Sequence, residues 1–246
     1  MKNPDTIPLD VRGNEQGTST STPPDLTLFL ASSFHDMKNS LSVLLGGLEK
    51  VLDKADPQRF PEYASVSQMM YETRRINGNL VALLTLYKLG NHSYPFDPAD
   101  HSIEDFLTVV AAQNAAMLAA HSIDITIDCP PGLFGHFDED LVGGVIGHAL
   151  NNAIKYTRQR INLVAREVDN FVELRIEDDG PGFPDKMIQE GLDAMRGINF
   201  QSGSTGLGLI FSAAVAKLHR NRARSGEIRL ENGGTLGGGC LILRLP

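Results

Sequence analysis

The sequence predicts a multidomain α+β chain, a helical hairpin followed by a mixed α/β domain. Three observations carry this reading. Apolar side chains recur every 3.5 residues between 25 and 90. From 101 to 246 the pattern changes to strand-like alternation between shorter helical stretches. Pro95 and Pro98 mark a linker between the two, at 91–100.

Residues 1–24 are polar and carry a Ser/Thr run ending in Pro23-Pro24. They read as a disordered tail, too small and too polar to fold alone. Such a tail is no sensor domain, so regulatory input is expected from a separate sensor protein. In the first helix Leu30, Phe34, Met37, Leu41, Leu44, Leu48 and Val51 are spaced alternately by four and three, a coiled-coil seam. Ala55-Asp56-Pro57 ends it, and Pro61 suits the first turn of the next helix. There Val66, Met69, Thr73, Ile76, Leu80, Leu83 and Tyr87 repeat the pattern. Helices of about 28 residues run about 40 Å. With Leu45, Leu52 and Leu84 added, they carry more apolar surface than a lone hairpin buries, and a dimeric four-helix bundle is expected.

Beyond the linker, one helix is expected over 103–120. Ile123, Ile125 and Ile127 alternate as a strand. Asp138-Glu139-Asp140 opens a helix that runs to Tyr156, acids being favoured at a helix N-terminus. Strands follow at 160–167 and 171–178. Residues 183–204 read as a mobile, irregular segment, 207–219 as a helix, and the end as a hairpin turning near Gly233-Gly234.

The chain has 22 basic and 30 acidic residues, a net charge of -8, which argues against nucleic acid as the main partner. Arg220, Arg222 and Arg224 read as a solvated turn. Cys129 and Cys240 lack metal-type spacing and read as buried free thiols of a reducing compartment. No run approaches the roughly 18 apolar residues of a membrane span. Met1-Lys2 leads into polar sequence, not an apolar signal core, so a cytoplasmic location is expected.

Three motifs in the second part read as a nucleotide site. Asn152 lies on a helix behind Leu141, Val142, Val145, Ile146 and Leu150. Its amide oxygen can join phosphate oxygens and waters around Mg²⁺, a hard ion that keeps several waters, and Lys155 can neutralise phosphate charge. Asp178 ends a strand before Gly180-Pro181-Gly182. A carboxylate there can accept from an exocyclic amine such as adenine's, and the glycines let backbone approach a flat base. Thr205-Gly206-Leu207-Gly208 precedes an apolar helix whose first N–H groups favour phosphate. Each motif also has a plain reading, as a polar helix face, a post-strand turn or a helix start. No Walker loop is present, and Gly206 follows no strand closely enough for a dinucleotide fingerprint.

On the first helix His35 sits just off the seam, with Asp36 beside it and Asn39 one turn on. Attack on a γ-phosphate needs one imidazole nitrogen deprotonated and the other oriented, and a neighbouring carboxylate can take or hold the proton. An Asn carboxamide can instead orient a water against a phosphorylated partner. Alone, His35 reads as an ordinary exposed histidine; the downstream site changes that.

Taken together, these residues resemble the transmitter core of two-component sensor histidine kinases over roughly residues 26–246. His35-Asp36 resembles the phosphoacceptor box. Asn152, Asp178-x-Gly180-x-Gly182 and Gly206-Leu207-Gly208-Leu209 resemble the nucleotide boxes shared with gyrase-type and Hsp90-type ATPases. The resemblance implies an α/β sandwich ATP-binding domain with a lid, of the histidine kinase/Hsp90 type. It implies ATP and Mg²⁺ held by Asn152, Lys155, Tyr156, Asp178, Gly180, Gly182 and Thr205 to Gly208, with Asn152 as the metal ligand. It further implies a homodimer that passes phosphate from His35 to an aspartate of a response regulator receiver domain. Asp36 with Asn39 matches the family pattern linked to dephosphorylating that regulator.

Three departures bear on mechanism. Ser40 stands where the family often has proline, so the helix should bend less. His148 stands where related ATPases carry a catalytic Glu, which favours kinase over free ATPase. His219-Arg220-Asn221 replaces the family's His-Gly-Gly, and altered nucleotide affinity is expected. Two rival readings are a histidine phosphotransfer or scaffold protein with a non-functional ATP site, and a serine kinase or ATPase of the same superfamily. Decayed nucleotide motifs would mark the first; the second has no use for a heptad hairpin carrying an exposed histidine.

Overall fold

The heptads fold as two long helices, α1 (Leu26–Lys54) and α2 (Tyr63–Gly90), packed along each other. This computed structural model describes residues 26–56, 59–190 and 206–246; the tail read at 1–24 lies outside them. Helix α1 runs unbroken through Ser40, whose hydroxyl donates to the Asp36 carbonyl at 2.9 Å. With no proline there, the backbone ladder is not interrupted.

The seam divides into two sets. Phe34, Leu41 and Leu48 are half-buried, as are Val66, Thr73, Leu80 and Tyr87. Met37, Leu44 and Val51 on α1 are exposed, as are Met69, Ile76 and Leu83 on α2; Leu44 keeps 56% of its surface and Met69 59%. Each exposed set repeats every seven residues, so the hairpin carries a continuous apolar stripe on each helix.

Helix α2 has a further face, through Ser67, Met70, Tyr71, Ala82 and Thr85, which is buried. It packs on α4 (Ala115–Ala120), α5 (Glu139–Tyr156) and α7 (Leu207–Leu218). Arg74 fastens this contact. Its guanidinium donates to the Gln113 carbonyl at 2.8 Å and to the Glu49 carboxylate of α1.

After the linker, β1 (Ala99–Ser102) pairs antiparallel with β3 (Phe134–Phe137). The helix expected over 103–120 is divided into α3 (Ile103–Gln113) and α4. The break is at Asn114, which is buried and whose amide donates to the Val110 carbonyl at 2.8 Å. A side chain that competes for backbone in this way ends a helix. The main sheet has the order β2-β4-β5-β9-β8, from β2 (Asp124–Asp128), β4 (Arg160–Val168), β5 (Phe171–Asp178), β8 (Glu227–Gly233) and β9 (Gly238–Leu245). Only β2 and β4 are parallel.

Alternation gives the sheet two unlike faces. Leu163, Ile176, Leu241 and Leu230 lie in one register row, and the apolar sides of α5 and α7 complete this core. Three residues along, and so on the opposite face, Arg166, Glu173, Arg244 and Glu227 form a row of alternating charge. Arg244 binds Glu173 and Glu227, each at 2.8 Å. Helices thus cover one face of the sheet, an α/β sandwich. The Cys240 thiol is buried and its pKa is pushed up to about 12 by burial, while Cys129 is only half-buried, contrary to the expectation of two buried thiols. Arg220, Arg222 and Arg224 lie exposed on the small hairpin of β6 (Arg220–Asn221) and β7 (Arg224–Ser225). Among the described residues no helix is long and apolar enough to cross a membrane.

Candidate nucleotide site

Helix α5 begins where the acids predict. Asp138 caps it, its Oδ1 accepting from the Leu141 N–H at 3.0 Å, with Glu139 and Asp140 in the first turn. His219 fixes this cap from the other side. Its Nε2 accepts the Asp138 N–H at 3.0 Å while its Nδ1–H donates to the Val215 carbonyl at 2.8 Å. These partners require the neutral ring with the proton on Nδ1, and burial lowers the pKa in the same sense, against smaller opposing effects of Val215 and Asp138. His219, which stands before the Arg220-Asn221 departure, is thus a structural clasp between α7 and α5.

With its apolar side in the core, α5 presents Asn151, Asn152, Lys155 and Tyr156 to a cleft of about 630 Å³. Lys155 Nζ lies 4.9 Å from the Tyr156 ring centroid. Across the cleft, β5 ends at Asp178, which is 7% exposed. Its Oδ1 accepts the N–H groups of Gly180 at 2.8 Å and Gly239 at 3.2 Å. That pairing orients the carboxylate and leaves Oδ2 to accept from an incoming amine. A Cβ on Gly239 would lie 2.9 Å from Oδ2, so the absence of a side chain there keeps the oxygen accessible. Gly180 is needed for a different reason: a Cβ would lie 2.3 Å from the Tyr156 carbonyl oxygen. This close approach couples the turn after β5 to the end of α5.

Asp179, beside Asp178, is engaged differently. Its Oδ1 accepts from the Thr157 hydroxyl at 2.6 Å and from the N–H groups of Arg158, Gln159 and Arg160 at 2.8, 3.0 and 3.2 Å. Desolvation raises its pKa, but these donors outweigh that and hold the carboxyl well below the usual range. The chain leaving α5 is thereby fastened to β5.

Gly206, in the left-handed conformation at φ +63°, starts α7, and Gly206 and Gly208 line the cleft. The N–H groups of a first helical turn have no intrahelical partners, which suits an anion. Leu207 opens the helix and packs on the core; Thr205 lies outside the described residues. Of the segment read as mobile at 183–204, α6 (Asp185–Glu190) is described and 191–204 lies outside. His148 also lines the cleft. Burial lowers its pKa, partly offset by a hydrogen bond with the Gly78 backbone of α2.

The structure therefore brings Asn152, Lys155, Tyr156, Asp178, Gly182, Gly206 and Gly208 to one cleft, with Gly180 on the Asp178 carboxylate. It adds residues that the motifs do not contain. Gly239 and Leu241 come from β9, Met187 from α6, and Tyr71, Arg75 and Asn79 from α2. Asn232 clamps Phe183 at the cleft edge, its Oδ1 accepting from the Phe183 N–H at 2.6 Å and its Nδ2 donating to the Phe183 carbonyl at 2.8 Å. The i, i+4, i+8 spacing of Tyr71, Arg75 and Asn79, off the heptad seam, is the signal that could have found the α2 wall.

Of His35, Asp36 and Asn39, the last two do not line the cleft. All three lie on α1; Asp36 and Asn39 are exposed, and the His35 side chain is outside the described set. Glu49 and Arg74 mark where α1 and α2 stand level, and His35 precedes Glu49 by 14 residues. At 1.5 Å per residue that is about 20 Å along the hairpin.

Comparison with known proteins agrees with this geometry. Residues 137–246 match the family described as histidine kinase-, DNA gyrase B-, and HSP90-like ATPase. A probable sensor histidine kinase of Mycobacterium tuberculosis is 30% identical over 165 residues, covering 66% of this chain and 42% of that protein. The phosphate regulon sensor protein PhoR of Pseudomonas aeruginosa is 26% identical over 202 residues, 79% of this chain and 45% of that one. The chain thus spans less than half the length of these relatives. In fold it is similar to full-length ShkA, crystallised with AMPPNP, at a TM-score of 0.59 and 21% identity, covering 89% of this chain and 46% of that one.

Proposed function

From the premise that this chain carries a sensor histidine kinase transmitter core with a GHKL-type ATP-binding domain, we propose that it autophosphorylates His35 from ATP and passes the phosphate to an aspartate of a response regulator receiver domain. The observation that carries this reading is the cleft itself. A buried, oriented carboxylate lies on one side and Asn152, Lys155 and a helix start on the other, the arrangement a purine triphosphate needs.

In this account Asp178 Oδ2 accepts from the adenine amine, and Lys155 with the amides at Gly206 to Gly208 neutralises the phosphates. Thr205, next in sequence to Gly206, is assigned to the same phosphate group. The donor set fits magnesium in one form. Among the described residues no three His, Cys, Asp or Glu side chains cluster as ligands. The Asn152 amide oxygen, with phosphate oxygens and water, is the hard-oxygen set that Mg²⁺ prefers, and the ion would supply charge neutralisation to the transferring group. One His35 ring nitrogen attacks the γ-phosphorus. An N–P bond forms, the bond to the β–γ bridging oxygen breaks, ADP leaves with that electron pair, and the imidazole proton passes to Asp36. Since His35 lies about 20 Å along the hairpin from the cleft level, the ATP domain must leave its contact with α2 to deliver the phosphate.

The exposed stripes of Met37, Leu44 and Val51 and of Met69, Ile76 and Leu83 support a homodimer closed as a four-helix bundle. A cytoplasmic location and input from a separate sensor protein complete the proposal. Asn39 is assigned to orienting water against the phosphorylated regulator, so Asn39→Ala should reduce phosphatase activity and spare autophosphorylation; loss of both refutes that split.

The function is tested by incubating the chain with γ-labelled ATP and Mg²⁺ beside a His35→Gln variant. Acid-labile, base-stable label on the wild type alone is the expected result. ATP binding without label on either chain would reject kinase activity, and absent ATP binding would favour the phosphotransfer reading.

A further inference from the structure

The phosphate end of the cleft is not built by the ATP domain alone. The His148 ring of α5 packs against two glycines, one from the hairpin and one from the ATP domain. A side chain at Gly78 of α2 would meet its Cε1 at 3.4 Å, and one at Gly208, in the first turn of α7, would meet its Nδ1 at 3.2 Å. Bare backbone at both positions lets α2 lie close to the start of α7. Asn79 follows Gly78 in sequence, and it lines the same cleft as His148, Gly206 and Gly208. That is the end assigned above to phosphate.

The polar side chains at this end differ in what they leave free. The Ser212 hydroxyl donates to the Gly208 carbonyl at 2.7 Å. His148 is engaged by the Gly78 backbone, and Arg75, one turn before Asn79, holds Glu72. The Asn79 carboxamide is half-buried and, among the described residues, has no hydrogen-bond partner. With neither end of the group committed, it can turn both N–H donors toward an acceptor in the cleft. Phosphate oxygens are such acceptors, and bonds to a charged acceptor are the stronger kind.

We propose that Asn79 is a nucleotide ligand, whose carboxamide donates to the polyphosphate of ATP or ADP from the hairpin while the ATP domain rests on α2. The assignment rests on the reading of the cleft as an ATP site, and it adds a residue outside the matched domain. Because transfer requires the domain to leave this face, Asn79 acts on affinity in the resting arrangement. Bound nucleotide in turn ties the domain to the hairpin.

The test is calorimetric titration of the full chain with the β,γ-imido analogue of ATP and Mg²⁺, and with adenosine. It compares wild type, Asn79→Ala and Asn79→Asp, with Asn91→Asp at the exposed end of α2 as the charge control. Loss of one hydrogen bond to phosphate should weaken the analogue roughly tenfold in Asn79→Ala. Asn79→Asp keeps the shape of the side chain but replaces two donors by a negative charge, so it should weaken the analogue further than Ala does. Adenosine, which has no phosphate, should change less than about twofold in both Asn79 variants, and Asn91→Asp should bind the analogue as wild type does. Analogue affinity unchanged in either Asn79 variant overturns the assignment, as does an equal loss for analogue and adenosine, which would mean a disturbed cleft. A wild type that binds no analogue overturns the ATP-site reading itself.

Discussion

The Thr157 hydroxyl donates to Asp179 Oδ1 at 2.6 Å and ties the residue after α5 to the residue after β5. The helix that carries Asn152 and the strand that carries Asp178 are thereby held at a fixed separation. The Asp178-Asp179 pair thus places one carboxylate in this tie and the other at the cleft wall.

Replacing Asp179 by Ala should therefore reduce both stability and ATP affinity. Removing one charged acceptor from several donors costs about 2 kcal/mol, measurable by urea unfolding. The carboxyl is held below its ordinary value of 3.8, so its contribution is complete above that value and is lost as pH falls toward the depressed folded value. Asp179→Ala should remove this part of the acid slope, leaving a flatter stability profile below pH about 4.

Asp178→Asn separates folding from binding. The amide oxygen can still accept from the Gly180 and Gly239 N–H groups, so the melting temperature should stay close to wild type. The NH₂ group would then face the adenine amine, donor against donor. ATP affinity should fall at least about tenfold, read by calorimetry.

The His219 clasp carries a pH signature. Its folded pKa is lowered, so below the ordinary value of 6.5 the unfolded chain takes up a proton that the folded chain resists. Stability from this group is complete above that value and declines as pH falls toward the folded pKa. His219→Phe keeps a ring but removes both hydrogen bonds, and should cost roughly 2 kcal/mol at pH 7.5 and flatten the profile just below pH 6.5. Unfolding midpoints between pH 5 and 8 check this.

The exposed heptad stripes predict assembly. Leu44→Asp with Ile76→Asp places charge where each chain is already exposed, so the folded protomer should persist by circular dichroism. Sedimentation equilibrium should show a dimer for wild type and a monomer for the double variant; a double variant that remains dimeric would move the interface elsewhere.

The hairpin and most of the sheet were legible because their periods, 3.5 and 2, are set by geometry that single residues report. The division at Asn114 was not, because it depends on a side chain turning to a carbonyl of its own helix, and the pattern of apolar positions continues past it. In the cleft, Asn152, Asp178 and the glycines of the turns announce themselves locally. The α2 wall does not, since Tyr71, Arg75 and Asn79 acquire their role only when α2 packs on α5 and α7. Asn232 likewise matters through Phe183, 49 residues away in the chain.

The most direct test of the central claim is the location of the phosphate. The full chain, incubated with ATP and Mg²⁺ and kept at alkaline pH, would be digested and sequenced by electron-transfer mass spectrometry. A single phosphoramidate on His35 is the predicted result. Phosphate on a serine or threonine, on another histidine, or nowhere in a chain shown to bind ATP would contradict it.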